Sequence, residues 1–170
     1  RFKIMLERAR ALRAEGVPIF PQVANRATGI LMGLQTDQHT FSTRASYREI
    51  ADLPLAERVA RLRDPEMKRR ILADPIEPYD HPLSAMVHQG YANLLPLGEE
   101  FDMEPAAEDT IEQRAAREGR DPEELVYDLL LEADGRAFLL FPFTNYFRFS
   151  LDDVHEMLTD SSSVWGLGDG

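Results

Sequence analysis

Residues 137–143, A-F-L-L-F-P-F, form an apolar run with no polar and apolar alternation. A strand that is apolar at every position is covered on both faces, as in a parallel sheet flanked by helices. The flanking sequence keeps the same rhythm. Asp121-Pro122-Glu123-Glu124 is a helix start, with Asp as cap, Pro at the first helical position and Glu124 placed as in a capping box. Leu125, Val126, Leu129 and Leu130 supply the apolar face, and Gly135 stops the helix. Thr144, Asn145 and Tyr146 follow at the C-terminal end of the strand, and Ser150-Leu151-Asp152-Asp153 opens another helix. Residues 164–167, V-W-G-L, then read as a short buried strand that ends in the turn Gly168-Asp169-Gly170. Helix, strand, helix, strand in units of about 20–25 residues is the rhythm of a parallel sheet or barrel.

Upstream, Phe2, Met5, Leu6, Ala9 and Leu12 mark an amphipathic helix over residues 1–15, with Gly16 as its stop. Residues 17–24 read as a short strand whose prolines, Pro18 and Pro21, limit pairing. Residues 25–41 lack a period and read as a loop holding Arg26, Gln35 and His39; Gln22 lies just before it. Residues 45–74 read as helical, with Asp64-Pro65-Glu66 starting a second helix. The arginines and Lys68 there alternate with Glu57, Asp64, Glu66 and Asp74, the pattern of a solvated face rather than a nucleic-acid patch. Residues 75–107 hold five prolines and read as connection, with a possible strand over 91–97. A short helix over 109–118 ends at Gly119. Segment 25–107 thus reads as an insertion at the end of a sheet.

Composition narrows the function classes. Thirty acidic side chains against 19 basic ones give a net charge of −11, which argues against binding a phosphate backbone. There is no cysteine for a disulfide or a thiolate metal site. No apolar run approaches the ~18 residues of a membrane span, and the amphipathic N-terminus is unlike a signal peptide. The expectation is a cytoplasmic protein without nucleic-acid or membrane partners. The chain opens inside a helix and closes where a loop begins, so it reads as a piece of a larger protein. His39, His81, His88 and His155 show no metal-binding spacing. Neither G-x-G-x-x-G nor G-K-[ST] occurs, which removes the usual nucleotide sites of an open doubly wound sheet. The credible chemical part is Asp169, a carboxylate beyond a strand's C-terminal end, although an ordinary Asp-Gly turn has the same sequence.

Residues 121–146, D-P-E-E-L-V-Y-D-L-L-L-E-A-D-G-R-A-F-L-L-F-P-F-T-N-Y, and residues 164–170, V-W-G-L-G-D-G, resemble the C-terminal half of the N-acyl-D-amino-acid deacylases. These are D-aminoacylases of the metal-dependent amidohydrolase superfamily. P-Q-V-A-N-R-A-T-G-I-L-M-G-L (21–34) and P-L-A-E-R-V-A-R-L-R-D-P-E (54–66) are similar to the same family. The resemblance covers nearly the whole chain in order and is looser over 75–107.

The resemblance implies an α/β fold: an incomplete (β/α)8 TIM-type barrel, about strands six to eight, with a helical, Pro-rich insertion. Asp169 matches the family aspartate that ends the last strand, binds zinc and takes the proton of the attacking water. Zinc lowers the pKa of bound water toward ~7, and a neighbouring carboxylate can pass the proton to the leaving amine. The remaining ligands, histidines and a lysine or cysteine, would lie upstream of Arg1. Residues 1–170 alone are then expected to be inert, with the rest of the parent chain as partner and a small N-acyl amino acid as substrate. Asn145, Gln22, Arg26 and His39 are candidates for substrate contacts, beside a purely structural role. The alternatives are a barrel whose metal site has decayed into a binding module, or a Mg²⁺-dependent phosphoryl site at Asp169. The second lacks the amide nest or basic clamp that a phosphate calls for.

Overall fold

The computed structural model describes residues 2–77, 90–98 and 102–166. His81, His88, Leu167 and Asp169 lie outside the described residues. The molecule is mixed α/β and divides into two compact units, Arg1–Thr28 with Pro142–Gly170, and Gly29–Phe141. The second unit takes in most of segment 25–107 and continues to Phe141. Among the described residues, no helix is long and apolar enough to cross a membrane.

The first unit begins with α1 (Phe2–Ala14), which buries Leu6 and Ala9. Gly16, at φ 87°, supplies the left-handed turn that ends it. Strand β1 is confined to Gln22–Ala24. The strand expected over 17–24 is therefore shorter at its start. Pro18 and Pro21 have no N–H for a ladder, and Ile19 and Phe20 remain exposed. Helix α7 (Asp152–Thr159) has Ser150 at its entrance, whose Oγ accepts from the Asp152 N–H at 3.1 Å. Ion pairs Lys3–Glu156 (2.9 Å) and Arg10–Asp160 join α1 to α7 and the turn after it. Strand β5 (Val164–Gly166) pairs parallel to β1, with Gln22 opposite Val164, Val23 opposite Trp165 and Ala24 opposite Gly166. Gly166 allows this close approach, since a Cβ there would lie 2.9 Å from Gln22 Cβ.

One expectation fails here. The final strand reads as buried, yet Val164 is 39% exposed and Trp165 is 74% exposed. Among the described residues β5 has β1 as its sole paired strand. Its apolar character is not matched by cover.

The second unit is built on a three-stranded sheet in the order β2 (Thr28–Met32), β4 (Phe138–Thr144), β3 (Leu95–Leu97). β3 runs antiparallel to β4, with Leu95 opposite Leu140 and Leu97 opposite Phe138. This corrects the all-parallel expectation for 137–143. β4 is the central strand, with Leu139 and Phe141 buried, and an unbroken apolar run reports that burial rather than strand direction. β2 corrects the loop reading of 25–41. Its T-G-I-L-M sequence has β-forming residues, but Gly29 and Gly33 beside them mask the pattern.

Helices α2 (Ala45–Arg48), α3 (Leu55–Leu62), α4 (Pro65–Ala73), α5 (Ile111–Glu118) and α6 (Pro122–Leu130) complete the unit. Their start signals act as the sequence indicates. Asp64 Oδ1 accepts from the Glu66 N–H at 2.9 Å. Asp121 Oδ1 accepts from Glu123 and Glu124 at 2.8 and 3.3 Å. α5 starts later than expected: residues 107–109 form a 3-10 turn and Thr110 is the cap. Leu125, Val126, Leu129 and Leu130 of α6 are all buried.

Candidate functional site

In a sheet with parallel strands, groups that act together gather beyond the strands' C-terminal ends. Ala24 and Gly166 are those ends in the first unit. Asn145 stands there too. It directly follows β4, has φ 64°, and its Nδ2 donates to Ala24 O at 3.2 Å and to Arg26 O at 3.4 Å. Asparagine tolerates the left-handed region better than other side chains. Its amide therefore fixes the segment after β4 to the exit of β1. Tyr146 is buried beside it and stacks edge-on against Phe149 at 5.9 Å.

The expected substrate contacts divide between the units. Asn145 and half-buried Arg26 meet at the exit of β1. Gln22 does not sit at a strand's C-terminal end as expected; it opens β1 and is exposed. The strand ends at Ala24 as the sequence indicates, but it starts late, which leaves Gln22 at its opening. His39 belongs to the second unit and is 1% exposed. Its Nδ1 accepts from the Phe41 N–H at 3.2 Å, and its ring lies edge-on to Tyr47 at 4.5 Å. That arrangement locks the 39–44 turn into the core. His155 is exposed on α7, as expected of a surface residue.

Sequence reasoning missed a polar cluster in the second unit. Arg44, 4% exposed, pairs with Glu123 through Nη2 and donates to Asp74 O through Nη1. The Asp74 carboxylate accepts from the Ser46 N–H at 2.6 Å, so it caps α2, which has no side-chain cap of its own. That hydrogen bond holds the Asp74 carboxyl below its ordinary range. Burial pushes the Glu123 carboxyl up, against the opposing pull of Arg44. Burial also pushes the Tyr91 phenol up, with Glu123 adding to it. The partners of Arg44 lie 30 and 79 positions away, beyond the reach of any local motif. In a core this arrangement joins three helices; it has no nucleophile paired with a base.

The remaining basic residues behave as a solvated face. Arg63, Lys68, Arg69 and Arg70 pair with Asp134, Asp128, Glu66 and Glu49. Among the described residues no group of three or more His, Asp or Glu side chains is gathered to hold a metal ion. The described residues thus do not by themselves make a zinc site. Asp169, the expected ligand, is not among them.

Compared with models of protein families, with curated proteins and with solved structures, the chain matches none.

Proposed function

We propose that this chain contributes the C-terminal part of a (β/α)8 barrel of the metal-dependent amidohydrolase type, acting on N-acyl-D-amino acids or similar small amides. The observation that carries the reading is the parallel pairing of β1 with β5, which directs both strand exits to one side, with Asn145 bonded across the exit of β1. Asp169 follows β5 in sequence, in the position that the family resemblance assigns to the proton-accepting carboxylate. Arg26, whose carbonyl Asn145 holds, offers a guanidinium suited to the carboxylate of an N-acyl amino acid. Gln22 and His39 have weaker claims on substrate, one at the wrong end of its strand and the other inside a core. Zinc belongs to this reading, with its other ligands supplied upstream of Arg1.

The test is hydrolysis of an N-acetyl-D-amino acid by the chain joined to the sequence that precedes Arg1. Asp169→Asn is expected to lower kcat by a factor on the order of 10²–10⁴, the usual contribution of a positioned proton acceptor, with KM little changed. Unchanged turnover in that variant contradicts the assignment.

A further inference from the structure

A second place in the molecule has the makings of a ligand site, and it lies within the second unit. Leu55, Ala56 and the buried Val59 of α3, with Arg63 just after the helix, line an open cleft of about 270 Å³. The opposite wall is the turn that carries Asp134 and Arg136. This turn has an unusual build. Ala133 and Asp134, neither of them glycine, are left-handed at φ 49° and 54°, and Gly135 follows at φ 77°. Consecutive left-handed L-residues are disfavoured by roughly 1–2 kcal/mol each. The packing that holds them there is visible: Gly135 is buried, and a Cβ on it would overlap Val59 Cγ2 and lie 3.2 Å from Leu34 Cδ1. The absent side chain lets the turn press against α3, and the flanking Asp134 and Arg136 line the cleft beside it.

The charges there run against the rest of the protein. In a chain of net charge −11 the cleft carries two guanidiniums against one carboxylate. Asp134 pairs with Arg63 at 2.8 Å. Arg136 has no ion pair among the described residues. The accessible floor, Leu55 and Ala56, is apolar, with Val59 buried beneath it. A phosphate or other small inorganic anion would use the arginines but not the floor, while a neutral apolar molecule would use the floor but leave Arg136 idle. From this combination we propose that the cleft binds a small organic carboxylate with a short aliphatic tail. Its carboxylate is gripped by Arg136 and Arg63, and its tail lies over Leu55 and Ala56, the lining residues that solvent reaches. Guanidinium groups are suited to such planar two-oxygen anions. The volume suits a ligand below drug size.

The probe is sodium hexanoate, titrated into the chain and followed by amide chemical shifts, with hexanol and inorganic phosphate as separate titrants. Hexanoate is expected to bind saturably, with shifts centred on residues 55–63 and 133–136. Hexanol and phosphate are each expected to bind at least tenfold more weakly. Arg136→Gln, at an exposed position, is expected to weaken hexanoate roughly tenfold, the size of one charge-assisted hydrogen-bond pair. Ala56→Trp, which fills the cleft from an exposed position and keeps both arginines, is expected to abolish saturable binding. Any of three results overturns the proposal: no saturation with hexanoate, phosphate binding as tightly as hexanoate, or both variants binding like the parent.

Discussion

The two units bury their apolar side chains to very different extents. In Gly29–Phe141, Met32, Ile71, Leu94, Leu95, Ile111 and Val126 are wholly shielded from water, and the exceptions Leu31, Ile76 and Met103 are scattered. In the unit made from the chain's two ends, burial reaches Leu6, Ala9, Val23, Tyr146 and Val154. Ile4, Met5, Val17, Ile19, Phe20, Phe147, Val164 and Trp165 stay in contact with solvent. Among the described residues, Gly29–Phe141 has several helices packed with a three-stranded sheet and can close a core. The unit made from the chain's two ends has, among the described residues, two helices and a two-stranded parallel sheet, an arrangement that elsewhere occurs almost always with both faces covered. The contrast is what the amidohydrolase proposal expects, with the open unit, Arg1–Thr28 and Pro142–Gly170, as the flank of a larger sheet.

That contrast should appear directly in stability. Leu130→Ala removes a side chain that is 1% exposed in the closed core. It is expected to cost about 2–5 kcal/mol, read from the urea midpoint at constant slope. A cost below about 1 kcal/mol would mean that this core is not closed. Asp74→Ala removes the carboxylate that caps α2 and should cost about 1 kcal/mol at neutral pH. Its folded-state carboxyl is depressed by the Ser46 hydrogen bond, which fixes the sign of its pH dependence. The contribution is complete above the carboxyl's unfolded value and disappears as pH falls through the folded one. Parent and variant stabilities should therefore converge in acid, and a gap that persists there refutes the capping role. Smallest of all, Trp165→Ser in the open unit should shift stability by no more than about 0.5 kcal/mol, because that ring has little cover to lose.

The sequence was most legible where one residue governs one local hydrogen bond. Asp64 and Asp121 cap their helices, and Gly119 at φ 64° ends α5, because each acts within a few positions of itself. β4 was visible for the same reason, as a run of apolar residues. Its direction relative to β3 was not, since pairing joins Leu95 to Leu140 across the intervening helices. β2 was hidden by glycines, and the Arg44 cluster by its long-range partners. At the candidate site Asn145 was legible as the residue after a strand, whereas Gln22, read as lying near a strand's end, opens β1 because the strand starts only there. Asp169 is known from sequence alone.

The central claim is that the open unit is completed by further parts of the same barrel, and Trp165, the chain's single tryptophan, reports on it. Its fluorescence should be measured in residues 1–170 and in the chain joined to the sequence preceding Arg1, with acrylamide as quencher. In the short chain the indole, 74% exposed, should emit as a water-facing ring and be quenched freely. In the longer chain the account expects a shift to the blue and strong shielding. Equal emission and equal quenching in the two would contradict it.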